Sequence, residues 1–294
     1  LTKIIKPDLG VITNISYAHS KNFKSINKIA EAKAEIMNNI KEGGTVVLNM
    51  DDKFYDYHKN YALKKKLRII SFGINKKSSM INLKKISRIK NKYKLLIDIN
   101  GLFFSFYSNI NNRNHLYNIL ATLASIKLFV DIKKLKQNIF LNIQIPEGRG
   151  DISKIKLKKK QIFLVDESYN SNPLSLKTAI ENYDILETKN SKKYLILGDM
   201  LELGNHSVRQ HKLISEILNK TRINQVYVTG KFIKETFKGL KMNKKAKILD
   251  NKVDIIDLIN KDLNNNDYLM IKGSNSTGLH KISTDLKKRS SYAV

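Results

Sequence analysis

The sequence contains no cysteine. That excludes a disulfide framework and thiolate metal sites, and it agrees with a cytoplasmic chain. No apolar run approaches the roughly 18 residues that a membrane span needs. The opening stretch, "LTKIIKPDLGVIT", has no hydrophobic signal region and no small-residue cleavage site, so no secretory leader is expected. There is no initiator Met, and Leu1 leads almost at once into the strand-like "LGVITNI". A fragment, or a processed chain with its N-terminal part missing, is therefore expected. Acidic residues are few, 26 against 54 Lys and Arg, which leaves a net charge of +28. Such a balance raises nucleic-acid or other polyanion binding. The excess is nearly all lysine, spread in short runs such as Lys64–Lys66 and Lys158–Lys160. Arginine, the better residue for bidentate phosphate and guanine contacts, is scarce. A general inflation of Lys, Asn and Ile explains this better than a specific nucleic-acid partner. The charge should still attract polyanions at low salt. Also missing are G-x-x-x-x-G-K-[ST], H-x-x-x-H, a nucleophile elbow and a catalytic cysteine pairing.

What is present fits two α/β domains, for which 294 residues leave room. Residues 9–15 read as a buried strand and about 27–40 as a helix. Strands follow in "GGTVVLNMDD" (43–52) and "LRIISFG" (67–73). Strand, helix, strand argues for a parallel sheet. In "KYKLLIDINGLFFSFYS" (92–108), two alternating apolar runs flank Asn100-Gly101, a strong hairpin signal. "NHLYNILATLASIKLF" (114–129) is helical, with Leu116, Leu120, Leu123 and Ala124 at helical spacing. "IQIPEGRGD" (143–151) reads as a hinge, which sets the domains at 1–148 and 149–294. Beyond it, strands at 161–168, 193–200, 225–230, 246–250 and 267–274 alternate with helical patterns near 173–188, 207–219, 231–237 and 252–261. This is a doubly wound, Rossmann-like pattern of ordinary domain size.

One lysine stands out. On the 27–40 helix, Ile29, Ile36 and Ile40 share a face, and Lys33 falls on it. Either Lys33 is buried there or it snorkels to the helix edge. Polar clusters end four strands: "TNISYAH", "NMDD", "VDESYNSNP" and "ILGDMLELG". Open α/β sheets bind ligands at such ends. A cap or turn is the commoner role, and Asn172 before Pro173 suits the N-cap of the next helix. Read this far, the chain is a two-domain α/β ligand-binding protein.

Taken in order, "VITNISYAHSKNFKSINKIAEAKAEI", "VVLNMDD", "NHLYNILATLA", "GRGD", "VDESYNSNPLSLKTAI", "ILGDMLELG" with "RQH", and "IKGS" resemble the Mur ligases. The match runs from about Pro7 to Leu286. "YNSNP" and "LGDMLELG" resemble the member that adds a dipeptide rather than a single amino acid. The resemblance implies part of a central P-loop-type ATPase domain followed by a Rossmann-like C-terminal domain. Family members also have an N-terminal domain for the UDP-sugar nucleotide and a phosphate loop, and both precede the region matched here.

The reaction implied is ATP-dependent ligation of D-alanyl-D-alanine to UDP-N-acetylmuramoyl-tripeptide through an acyl phosphate, in peptidoglycan precursor synthesis. ATP and Mg2+ are the implied cofactors, and a cytoplasmic monomer is expected. His19 falls on the family's magnesium-binding histidine. Lys33 falls on a lysine that CO2 carbamylates; burial would lower its pKa and leave a neutral amine to react. Asn118 falls near the adenine, with Asn114 beside it. Arg149 falls on a phosphate-binding hinge arginine, for which a guanidinium fork is suited, and Asp166 on the ribose-binding acid. Tyr169, Asn170 and Asn172 match a motif near nucleotide and dipeptide. Asp199, Glu202 and His211 belong to a second C-terminal motif with expected peptide contacts. Lys272 and Ser274 could meet a carboxylate or hold structure. Closure about residues 146–151 would bring the dipeptide amine to the acyl phosphate. The alternatives are a non-catalytic nucleotide- or dipeptide-binding fragment, another Mur-type ligase, or a basic polyanion-binding protein.

Overall fold

The computed structural model describes residues 2–17, 20–157, 160–188, 190–250 and 252–291. Two compact units emerge. One holds residues 1–16 and 23–144, the other residues 17–22 and 145–294. Among the described residues, no helix is long and apolar enough to cross a membrane.

The first unit contains α1 (Thr2–Ile5), β1 (Leu9–Ile12), α2 (Ile26–Ala34), β2 (Thr45–Asn49), α3 (Tyr55–Lys64), β3 (Arg68–Gly73), β4 (Ile81–Ile89), β5 (Lys92–Ile99), β6 (Leu102–Ser108) and α4 (Arg113–Ile126). Its six strands lie in chain order. β1 to β4 pair in parallel, and β5 and β6 turn back antiparallel. Every residue of β2 is buried, as a parallel strand covered on both faces requires. Asn100 and Gly101 form the β5–β6 turn with φ of 53° and 84°, the left-handed pair that a two-residue hairpin needs. Leu116, Leu120, Leu123 and Ala124 of α4 pack on Val47, Phe72, Ile81, Ile97 and Phe106. This core includes the four helix positions read from spacing.

The α2 reading needs correction. The helix runs as α only to Ala34 and tightens to 3-10 geometry over Glu35–Asn39. Ile29, Ala30, Ala34, Met37 and Ile40 are buried, whereas Lys33 is exposed. The buried stripe is centred on Ala30, Ala34 and Met37, at i, i+4 and i+7. Two alanines let the helix approach its neighbours closely, and the His58 Nε2–H donates to the Ala30 carbonyl at 3.1 Å.

The second unit contains β7 (Asp151–Leu157), β8 (Lys160–Asp166), α5 (Pro173–Ile185), β9 (Lys193–Gly198), α6 (Ser207–Leu218), β10 (Gln225–Thr229), α7 (Lys234–Gly239), β11 (Lys245–Ile248), α8 (Lys252–Lys261), β12 (Tyr268–Lys272) and α9 (Leu279–Ser291). The strand order is β11-β10-β9-β12-β8-β7, all parallel except the β7–β8 pair. Two separate cores cover the sheet faces. Leu176 and Ile180 of α5 join Ile214 and Leu218 of α6 in one. Ile255 and Leu258 of α8 join Leu279 and Leu286 of α9 in the other. The domain is doubly wound, as its alternating pattern predicts. The chain leaves β8 for β9, continues outward to β11, and returns to insert β12 between β8 and β9. The carboxyl ends of these three central strands therefore meet where the winding reverses, the usual ligand position in an open α/β sheet.

Candidate functional site

At that edge of the second unit, a buried layer lies under an exposed one. The buried layer begins at Asp166, which ends β8 with no exposed surface. Its Oδ2 lies 2.6 Å from Lys287 Nζ, and the same ammonium reaches Asp151 Oδ2 at 2.6 Å. Its Oδ1 accepts from Ser168 Oγ at 2.5 Å and Ser168 N at 3.1 Å. Burial alone would raise the Asp166 carboxyl, but the hydrogen bonds from Lys287 and Ser168 outweigh it and hold the pKa below the ordinary value. Asp166, expected to touch a ribose, instead anchors β8 to β7 and α9.

Lys272, at the end of β12, is 2 % exposed. Its ammonium lies 3.0 Å from the Asn170 carbonyl, 3.3 Å from the Glu167 carbonyl and 3.3 Å from Glu167 Oε2. All three of its hydrogens are thus engaged, and it braces the loop after β8 rather than presenting a cation. Burial pushes the Lys272 ammonium down, with Glu167 opposing. Burial likewise pushes the Glu167 carboxyl up, with Lys272 opposing. Ser274 is also buried. Its hydroxyl donates to the Ser171 carbonyl at 3.2 Å and accepts from Leu201 N at 2.8 Å, stitching three strand ends together.

Asp199 accepts from Ile233 N at 2.7 Å and Lys231 N at 2.9 Å. It packs against Gly230, whose φ is +126° and where a Cβ would come within 2.6 Å of the carboxyl carbon. His211 Nε2 accepts from Met200 N at 2.9 Å, so Nδ1 carries the hydrogen and donates to the Ser207 carbonyl at 2.7 Å. Burial pushes its pKa down. With no hydrogen on Nε2, its 4.0 Å approach to Asp199 is not an ion pair. Asn172 caps α5, and its Oδ1 accepts from Ser175 N while Ser175 Oγ accepts from Asn172 N. Asn172 is the N-cap that its place before Pro173 suggests, Lys272 and Ser274 take the structural one of their two expected roles, and Asp199 and His211, for which the resemblance implied peptide contacts, also have internal partners.

The exposed layer consists of Arg149, Tyr169, Asn170 and Glu202. The Arg149 guanidinium stacks 4.2 Å from the Tyr169 ring centroid, an attraction between cation and ring face. The loop beneath is tight. Gly148 has φ +74°, Tyr169 N donates to its carbonyl at 3.0 Å, and a Cβ there would meet Tyr169 N at 2.8 Å. Asn170 Oδ1 accepts from Ser171 N at 2.8 Å. Ser171 Oγ is buried without a hydrogen-bond partner in the same loop. Such an orphan needs a water or ligand atom. Sequence reading passed over Ser171, Ser168, Glu167 and His280. The signal for the first three was their place inside "DESYNSNP"; His280 lay past the last motif.

In the first unit, Thr13 and Asn14 follow β1 and line a cleft of about 620 Å3 with Ala32, Lys33, Glu35 and Ile36. Lys33 is therefore open to solvent at a strand's carboxyl end. Asn114 and Asn118 lie one turn apart on the exposed face of α4. His19 lies outside the described residues. Among the described residues, no group of three or more His, Cys, Asp or Glu could hold a metal ion. Of the two residues expected at the magnesium site, Lys33 is the one among the described residues, and Thr13, Asn14 and Glu35 line the same cleft.

Residues 1–126 match the Mur ligase middle domain, and residues 153–275 match the Mur ligase, glutamate ligase domain. The chain belongs to the Mur ligase family. It is 31% identical over 302 residues to the UDP-N-acetylmuramoyl-tripeptide–D-alanyl-D-alanine ligase of Buchnera aphidicola subsp. Acyrthosiphon pisum, covering 98% of this chain and 62% of that protein. To the enzyme of the same name from Rickettsia prowazekii it is 28% identical, covering 96% of this chain and 62% of that protein. The chain thus spans less than two thirds of either relative. Among solved structures, MurF from Acinetobacter baumannii superposes with a TM-score of 0.81 at 21% identity, over 98% of this chain and 61% of that one. MurF ligase from Thermotoga maritima in complex with ADP gives 0.77 at 23% identity, over 99% and 64%. At such identities the structural likeness speaks to the fold alone.

Proposed function

We propose that the chain takes part in ATP-dependent joining of D-alanyl-D-alanine to UDP-N-acetylmuramoyl-tripeptide, a cytoplasmic step in peptidoglycan precursor synthesis. The similarity to the Buchnera ligase across 98% of the chain carries this reading. In the first step, a carboxylate oxygen of the tripeptide attacks the γ-phosphorus of ATP; ADP leaves and an acyl phosphate forms. In the second, the dipeptide amine attacks the acyl carbon, an amide forms, and inorganic phosphate and the amine proton leave. The first step crowds anionic phosphate and carboxylate together, so it needs fixed positive charge.

Arg149 is the exposed cation suited to that need. It reaches phosphate by leaving the Tyr169 face, exchanging one stacking contact for a charge-assisted fork. Tyr169 and Asn170 remain the exposed groups for nucleotide or dipeptide. Asn114 and Asn118, both open on α4, suit the amide-to-base contacts of an adenine. Magnesium, when bound, would offset phosphate charge; His19 and a carbamate on Lys33 are the groups proposed toward it. Lys33 carbamylation rests on the position of this exposed side chain in the cleft after β1. A 13C signal from a carbamate in wild-type protein under 13CO2, absent from Lys33→Ala, is the expected result.

The alternative, a non-catalytic nucleotide- or dipeptide-binding chain, differs from the ligase in expecting binding without turnover. Phosphate release by the chain with ATP, magnesium, the UDP-tripeptide and the dipeptide separates the possibilities. Release that requires the dipeptide supports the ligase. Release with a single amino acid instead points to another Mur-type ligase. ADP binding without release leaves the binding-only reading.

A further inference from the structure

Ser168 is fully buried between a carboxylate and an imidazole. Its Oγ lies 2.5 Å from Asp166 Oδ1 and 3.2 Å from His280 Nδ1. Asp166, bound on its other oxygen by Lys287, is a carboxylate and can only accept. The single hydroxyl hydrogen of Ser168 therefore points to Asp166. Ser168 Oγ has only lone pairs left for His280, so Nδ1 must carry the ring hydrogen and donate it. This fixes the tautomer, because the partner of one ring nitrogen sets the state of the other. Nε2 is left as a lone-pair acceptor on a half-buried ring, with no hydrogen-bond partner among the described residues. The same ring meets Tyr169 edge-on, centroids 6.3 Å apart, and lies against Gly148, where a Cβ would come within 3.2 Å of Nδ1. The His280 ring thus packs on the same Tyr169 ring that the exposed Arg149 guanidinium stacks against.

We propose that His280 Nε2 accepts a hydrogen bond from a ribose hydroxyl of the bound nucleotide. The inference rests on the nucleotide-binding part of the proposed function. It moves the contact that family resemblance would give Asp166 out to the far end of the Asp166–Ser168–His280 chain. Asp166 cannot make that contact itself, being buried with both oxygens engaged. The chain passes its influence outward by holding the imidazole in one tautomer. Arg149 supplies the cation for phosphate, and His280 supplies the acceptor for the sugar one ring's breadth away.

The test titrates ADP, 2′-deoxy-ADP and 3′-deoxy-ADP into the chain and into His280→Phe, which keeps a ring against Tyr169 but removes the acceptor. Wild-type protein should bind one deoxy analogue on the order of tenfold more weakly than ADP, the loss expected of one hydrogen bond. His280→Phe should bind ADP weakly by a similar factor and no longer distinguish that analogue. Ser168→Ala should reduce the discrimination in part, and the 15N shifts of His280 should show hydrogen on Nδ1 in wild type. Discrimination that survives in His280→Phe overturns the proposal and leaves nucleotide binding standing. So does a wild-type protein that treats all three nucleotides alike, or a His280 with its hydrogen on Nε2. Failure of wild-type protein to bind ADP at all overturns the nucleotide reading, and this proposal with it.

Discussion

Lys33 and Lys272 occupy opposite environments, each matching one of the two roles that the sequence leaves open to it. Lys33 lies among isoleucines in a helical reading, yet it is exposed in a cleft of the first unit. Lys272 ends a strand in a motif that could meet a carboxylate ligand, yet it is buried with three internal acceptors in the second. The difference teaches how each is recruited. An exposed lysine side chain can be reached by ligands and reagents from solvent. A buried one must be paired or pay its desolvation, so its contribution is to hold the surrounding loop. The same division runs through the carboxyl edge of the second sheet, where buried groups hold the shape and exposed ones are left for ligands.

The largest effect should come from the buried network. Lys287→Met leaves Asp166 charged and unpaired, and stability measured by urea unfolding should fall by about 3–5 kcal/mol. A loss under 1 kcal/mol would contradict the pairing. The pH response has a defined sign. Asp166 is held below its ordinary pKa, so its contribution is complete above that ordinary value and fades as pH falls through the lowered one. Lys287 is held above its ordinary value despite burial, because Asp151 and Asp166 hydrogen bond to it. Its contribution is complete below the ordinary value and fades as pH rises through the raised one. The network should therefore support a plateau from about pH 5 to pH 10. Lys287→Met should replace the plateau with stability that declines as pH rises and Asp166 is forced to ionise.

Next, Lys272→Met should cost about 2–3 kcal/mol, since it removes charge-assisted bonds but leaves Glu167 partly open to water. Asn172→Ala should cost about 1 kcal/mol through loss of the α5 cap, read as a shift in melting temperature. Lys33→Met should change stability by less than about 0.5 kcal/mol, and under the proposed ligase reading it should also lower phosphate release. Equal destabilisation by the two lysine substitutions would erase the contrast between them.

Much of the fold could be read from short-range pattern. Asn100-Gly101 needs only its own backbone preference to make a turn, and the four apolar positions of α4 need only their spacing. Elements whose patterns are weak did not show. The burial pattern of β4 changes at Lys84 and Lys85, where the register also shifts. The described buried residues of α3 are only His58 and Ala62. β7 overlaps the hinge reading of 143–151 only at Asp151 and carries no strand reading of its own, and α9 follows the last recognised motif. Lys33 misled because isoleucines are conspicuous and alanines are not, and because the helix tightens at Glu35. The partners of Asp166 were hidden for a different reason. Its controlling partner, Lys287, is 121 residues away, and nothing local distinguishes a carboxylate that faces a ligand from one that faces a lysine across the sheet.

The contrast between the lysines is tested most directly by amine acylation under native conditions, with the modified sites followed by mass spectrometry. In CO2-free buffer, where no carbamate occupies its amine, Lys33 should acylate at the rate of other exposed lysines. Lys272 should stay protected until the second unit unfolds. Rapid acylation of Lys272 in the folded protein, or protection of Lys33, would contradict the division between buried brace and exposed ligand-facing group.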